Sequence, residues 1–211
     1  MSIVVFSLAQ AVAPQVGSRS LGTELAQAGA KKHVDAATAQ RLYRIVTPLL
    51  RAMEHSLKPQ QVSVGIVADD AINAANGGGG KFFVTTGLLE RANDEQLRGV
   101  MAHEIAHEDL GHVTKLKISA TGANMVLLEK LVADSPKLTL IDGPMVTSSF
   151  SQSEELAADR QSVAILARAG HPKTVVIEAL NWLAKTSPKR GGFLSTHPNL
   201  NERIKNLEAM P

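Results

Sequence analysis

Apolar residues follow two different periods along this 211-residue chain. From 36 to 57 they fall at Leu42, Ile45, Val46, Leu49 and Leu50, the three-and-four spacing of a helix with one buried face. Residues 19–32 also read as a helix. "QVSVGIVA" (61–68) alternates and is rich in β-branched residues, so it predicts a strand, and "KFFVTT" (81–86) predicts a second. The polar, glycine-rich "DDAINAANGGGG" between them predicts a bend. Asn93 or Asp94 can cap a helix that begins near Glu95 and runs through "MAHEIAHEDLGHV" (101–113). Residues 113–147 are less regular, with an apolar helical segment near Met125 to Val132. "DGP" (142–144) makes a turn, and helices follow at about 151–169, at 172–186 and from about Pro198 to the end.

These elements imply an α+β fold, mainly helical with a small sheet beside the helix at 95–110. There is no repeat and no linker, and the length suits one domain with a proper core. We therefore expect a single domain over 1–211, with a helical part at 1–57 and the chemistry below within 58–211. Net charge is only +2, and five Phe, one Trp and one Tyr are too few for a base-stacking platform, so nucleic acid is not the expected partner. The chain lacks cysteine, which excludes disulfides, thiolate metal sites and thiol nucleophiles. No window approaches the roughly 18 apolar residues of a membrane helix. "IVVFSLAQAVA" (3–13) reads either as the tail of a secretory leader or as an apolar first helix. No basic residue precedes it and Pro14 would follow the cut, which favours the helix.

Three of the seven histidines lie in ten positions, His103, His107 and His112. Residues turn by about 100° along a helix, so His103 and His107 share a face while His112 falls roughly 180° from His103. His112 is therefore not expected to be a ligand. His103-Glu104-Ile105-Ala106-His107 is H-E-x-x-H on a predicted helix, a pattern that holds one Zn²⁺ between two imidazoles with the Glu as general base. The chemistry needs this spacing: two ring nitrogens one turn apart can both reach within about 2.1 Å of one ion. Glu104, one residue round, faces the water rather than the metal. Such a site takes a third protein ligand, and "SEELAADR" (153–160) offers the best one. Glu155 and Asp159 are four apart on one helical face, so Glu155 can bind metal while Asp159 fixes the tautomer of a ligand histidine. Glu154 points aside, as a solvated charge. Gly77 to Gly80 with Lys81 is not a phosphate loop, because Phe82 stands where Ser or Thr is required.

With these motifs in place, the chain resembles the gluzincin metallopeptidases that include HtpX and the CAAX prenyl protease, especially their small soluble (BepA/LoiP-like) envelope branch. The resemblance rests on "INAAN…FFVTTGLLERANDEQLRGVMAHEIAH", "SEELAADR" and "STHPNLNERI" (195–204), in order over roughly 60–210. It implies a zinc-dependent endopeptidase with Glu155 as third ligand, His197 and Arg203 near the site, and a structural part for His112. The hydrophobic hairpins of the intramembrane members are missing, and Ala75 stands where relatives often carry an aromatic.

The expected catalytic residues are thus Glu104 and His197, the metal ligands His103, His107 and Glu155, and their supports Asp159 and Arg203. His197 either steadies the oxyanion or binds zinc as a fourth ligand in a closed state. Arg203 orients a carboxylate such as Asp159, or pairs with one at the surface. Strand 81–86, through Phe82, Phe83, Val84 and Thr85, is expected to be an edge that pairs with an extended peptide. Tyr43 and Trp182 read as core. The expected function is hydrolysis of peptide bonds in unfolded or misfolded proteins, with one zinc per chain, in the periplasm or envelope or alternatively in the cytoplasm. The competing class is a zinc-stabilised chaperone or assembly factor that seldom cuts; a metal sensor would leave Glu104 without a task. The substrates are polypeptides in either of the first two cases.

Overall fold

A computed structural model of the chain describes residues 35–58, 61–112, 117–118, 126–127, 137–142, 145–146, 148–187 and 192–211. Every residue of the site expected above falls within them, in one compact unit spanning Lys32–Pro211. The helix expected at 19–32 and the apolar stretch at 3–13 lie outside the described residues.

Helix α1 (Ala36–Arg51) starts where Asp35 Oδ1 accepts the Thr38 N–H at 2.7 Å, and it buries Ala39, Leu42, Ile45, Val46 and Leu49. It ends before the expected 57. The chain beyond Ala52 turns away, where Asp109 accepts the N–H groups of Glu54 and His55 at 2.9 and 2.7 Å.

The sheet joins β1 (Ser63–Ala68), β2 (Ala74–Asn76), β3 (Lys81–Thr85), β5 (Val126–Leu127) and β6 (Lys137–Asp142) in the order β2-β3-β1-β6-β5. β1 runs parallel to both β3 and β6, with Ile66 opposite Val84 and Leu140, and its residues Val64 to Val67 are buried. β4 (Lys117–Ile118) and β7 (Met145–Val146) pair antiparallel by themselves. On one face Val64, Ile66, Phe82 and Val84 join the helices in the main core. On the other, Val67, Ala75 and half-buried Phe83 pack with Met145.

Two expectations change here. The segment near Met125 to Val132 contains strand β5 where a helix is expected, because Val126 and Leu127 pair with Leu140 and Thr139 of β6; its other residues lie outside the described ones. The bend after β1 also contains a strand. Ala74–Asn76 pairs antiparallel with β3 through a turn in which Gly78, Gly79 and Gly80 all take positive φ, at 77°, 61° and 77°. That pairing removes β3 from the edge.

Thr85 caps the short α2 (Thr86–Arg91), and α3 (Asp94–Asp109) follows. Asn93 and Gln96 form a reciprocal capping box at its start, with Asp94 and Glu95 in the first turn. α3 is buried on nearly every side, so it is the hub of the helical layer. Gly99 lets α5 (Thr174–Thr186) cross closely: a Cβ there would stand 2.5 Å from Ala179 Cβ and 2.6 Å from the Val175 carbonyl. α4 (Gln152–Arg168), α6 (Phe193–Thr196) and α7 (Leu200–Glu208) complete the unit. Tyr43 is buried, and Trp182 packs half-buried against the core.

Candidate metal centre

α3 presents His103 and His107 one turn apart, and their Nε2 atoms lie 3.1 Å from each other. Facing them is α4, started by a capping box in which Ser151 Oγ accepts the Glu154 N–H and Glu154 Oε2 accepts the Ser151 N–H at 2.8 Å. Glu154 is therefore a half-buried helix cap rather than a free surface charge. One residue on, Glu155 turns inward: its Oε2 is 3.4 Å from His103 Nε2 and its Oε1 is 3.5 Å from His107 Nε2. His197, at the end of α6, brings Nδ1 to 2.8 Å from Glu155 Oε1 and 3.3 Å from His103 Nε2. One donor atom from each of His103, His107, Glu155 and His197 falls within 4.8 Å of the other three, and all four residues are buried.

Around this group stands a second ring of contacts. Asp159, one turn after Glu155, has Oδ1 at 3.1 Å from His103 Nδ1. Arg203 of α7 is fully buried and donates to both Asp159 oxygens, Nε to Oδ2 at 2.8 Å and Nη2 to Oδ1 at 2.7 Å. Its Nη1 also lies 2.5 Å from Glu155 Oε2 as an ion pair, without hydrogen-bond alignment. Glu104 Oε2 accepts the Asn76 N–H of β2 at 2.8 Å, while Oε1 has no hydrogen-bond partner and sits 3.3 Å from His197 Nε2. The Phe193 ring stacks on His197 and the Phe150 ring on His107, with centroids 4.1 and 3.7 Å apart.

The electrostatics follow from burial and these partners. Burial and the Arg203 charge oppose protonation of His103, but Asp159 and Glu155 outweigh them and raise its pKa to about 9. Burial lowers His107 to about 2, against the pull of Glu155. Burial would raise Asp159, yet its bonds from Arg203 and His103 hold it at about 2. Glu155 is likewise driven far below the usual carboxylate range by His197 and His103, despite its burial. Three imidazoles and a carboxylate thus converge in a buried cluster, and Glu155 Oε2 has no hydrogen-bond partner there. A cation bound by nitrogen and carboxylate donors fits this set.

The structure therefore brings together Glu104, His197, His103, His107, Glu155, Asp159 and Arg203. It does not bring the β3 residues to the substrate side as an edge. β3 is paired on both sides, by β1 and β2; Phe82, Val84 and Thr85 are buried, and Phe83 is half-buried. Among the described residues the sheet ends beyond β3 at β2, whose three residues Ala-Ala-Asn carry little strand signal. Sequence reasoning also passes over Phe150, an isolated aromatic before Ser151, and the hydrogen bond from Asn76 to Glu104. His112, set aside as a ligand, lies beside His107 with the two Nδ1 atoms 3.1 Å apart.

Comparison with known proteins agrees with this geometry. The sequence model of peptidase family M48 matches residues 36–211. Metalloprotease LoiP of Escherichia coli (strain K12) is 26% identical over 170 residues, covering 77% of this chain and 68% of its own length. A protease HtpX homolog of Bacillus subtilis (strain 168) is 27% identical over 259 residues, covering 99% of this chain and 85% of its own. Another from Methylibium petroleiphilum is 27% identical over 225 residues, with 85% and 77% covered. Among the described residues, no helix is long and apolar enough to cross a membrane.

Proposed function

We propose, from the premise that this chain belongs to peptidase family M48, that it is a zinc-dependent endopeptidase acting on unfolded or misfolded polypeptides in the cell envelope. Family membership makes it a metal-dependent peptidase; the zinc, the state of the substrate and the compartment are our reading. The observation that carries it is the buried convergence of His103, His107 and Glu155 beside Glu104. We assign His103 and His107 as ligands through Nε2 and Glu155 as a ligand through its carboxylate, a donor set that suits zinc better than harder cations. When bound, zinc supplies Lewis acidity, polarising the scissile carbonyl and lowering the pKa of water.

In this reading the chain's own residues carry the protons. The Asn76 N–H holds Glu104 by Oε2, leaving Oε1 to take a proton from the attacking water and pass it to the leaving amine. Asp159 sets His103 from behind, and Arg203 holds Asp159 while balancing the charge of Glu155. β2, the end strand of the sheet next to β3, takes the place of β3 as the strand proposed to pair with an extended peptide. The envelope assignment rests on the motif resemblance, with the cytoplasm as its alternative. The whole of 1–211 is proposed to be one metallopeptidase domain, with the site in 58–211.

A second reading draws on His197. Its Nδ1 lies among the three proposed ligands, so a resting state with His197 as fourth ligand leaves no room for water. Held permanently, that state would suit a zinc-stabilised chaperone or assembly factor with little peptidase activity. Incubating the zinc-loaded protein with unfolded casein distinguishes the two. The endopeptidase reading expects fragments that stop accumulating with chelator and return with added zinc. A zinc-loaded protein that binds casein and leaves it intact supports the chaperone, and cleavage indifferent to chelator contradicts both.

A further inference from the structure

Of the two α3 imidazoles, each has a partner at the ring nitrogen turned away from the proposed metal position. For His103 the partner is the Asp159 carboxylate, 3.1 Å from Nδ1. For His107 it is another imidazole, His112, whose Nδ1 lies 3.1 Å from His107 Nδ1. The chain reaches this arrangement by ending α3 sharply. Gly111 takes φ +72°, the His112 N–H returns to the His107 carbonyl at 2.8 Å, and the Gly111 N–H to the Glu108 carbonyl at 3.0 Å. A straight helix would put His112 on the far face; the left-handed glycine swings it back onto His107. Asn76 then holds the turn from the sheet side, donating from Nδ2 to the His112 carbonyl at 2.8 Å. The same Asn76 donates its backbone N–H to Glu104.

We infer that His112 is a positioning residue for the metal centre, accepting a hydrogen bond from His107 Nδ1–H and so keeping His107 Nε2 unprotonated and aimed at the metal. The inference rests on the reading of His107 as a ligand. Its chemistry is a matter of tautomers. If Nε2 offers its lone pair to a metal, the single proton of neutral His107 is on Nδ1. Of two facing Nδ1 atoms only one can donate, so His112 Nδ1 is the acceptor and its own proton resides on Nε2. Partners of this kind orient the ring and raise its basicity, and losing one costs metal affinity about 10- to 100-fold.

The test is zinc affinity by chelator competition, read together with the melting temperature of the metal-free protein. His112→Phe keeps a ring but has no acceptor. His112→Asn places an amide oxygen near the position of Nδ1. The inference expects His112→Phe to bind zinc about 10- to 100-fold more weakly than wild type, and His112→Asn to recover most of the loss. If His112→Phe fails to fold, His112→Ala serves in the same comparison. Wild-type zinc affinity in the acceptor-free variant, or equal losses in both variants, overturns the inference, even where the metal-free melting temperature falls. A wild-type protein that binds no zinc overturns the ligand reading of His107 and this inference with it.

Discussion

Arg203 shows at single-residue scale how much the site depends on charge balance. A guanidinium with none of its surface exposed is tolerated because it faces Asp159 with two hydrogen bonds and Glu155 with an ion pair. Replacing it by leucine leaves two carboxylates buried without their counter-charge. We expect Arg203→Leu to lose about 3–5 kcal/mol of stability in urea unfolding; a loss below about 1 kcal/mol would show that the carboxylates find other partners. His197 makes a prediction of the opposite sense. Its ring stands among the proposed ligands, so removing it vacates a position for water. His197→Ala is expected to cut unfolded casein faster than wild type under equal zinc loading. A variant about 10²-fold slower in kcat with KM unchanged would instead make His197 an oxyanion donor alone.

Among the elements, α3 is the one that several others are tied to. Its penultimate residue reaches the glycine hairpin, where Glu108 Oε1 accepts the Gly80 N–H at 2.8 Å. Its last residue, Asp109, accepts from the Glu54 and His55 N–H groups and from Gln161 of α4, joining three parts of the chain. Burial would raise the Asp109 pKa, but these hydrogen bonds hold it below the usual carboxylate range. A carboxylate lowered in the folded state binds fewer protons there than when unfolded, so it stabilises above the unfolded pKa of about 3.9. That contribution fades as pH falls below about 4 and through the folded pKa. The stability gap between wild type and Asp109→Asn should therefore be full near neutral pH and close on acidification below about 4. A gap that widens with acid contradicts this assignment.

The same helix shows what could be read in advance. His103, Glu104 and His107 are placed by helical period alone, and Glu155 with Asp159 by the same rule on α4. His112 escapes that rule because its position depends on the backbone of Gly111, which pattern reasoning treats as a possible break without a direction. β2 was hidden because its pairing comes from a glycine turn and from β3, not from its own residues, and with it went the correct edge of the sheet. Phe150 reaches His107 only through the tertiary fold, and no local period marks it.

At the scale of the molecule, the proposed ligands come from two separate helices, α3 and α4, with His197 closing in from the end of α6 and Arg203 reaching in from α7. A bound metal would hold these elements together in the folded state and nowhere in the unfolded one. Folding and binding are then linked: zinc at about 1,000 times its Kd adds about 4 kcal/mol. For a domain of this size, chelation should lower the melting temperature by roughly 10 °C, and zinc should restore it. An unchanged melting temperature in a protein shown to bind zinc would mean that these elements are held by their own packing.

The central claim is that Glu104, beside a metal held by its helical neighbours, moves the proton in peptide hydrolysis. The direct measurement is the rate of casein cleavage by Glu104→Gln, at a zinc content matched to wild type. The amide is nearly isosteric and can still accept the Asn76 N–H, so the fold and metal site should persist while proton transfer is lost. The account predicts full zinc occupancy with cleavage reduced by about 10²-fold or more. A zinc-loaded Glu104→Gln that cuts as fast as wild type would contradict it.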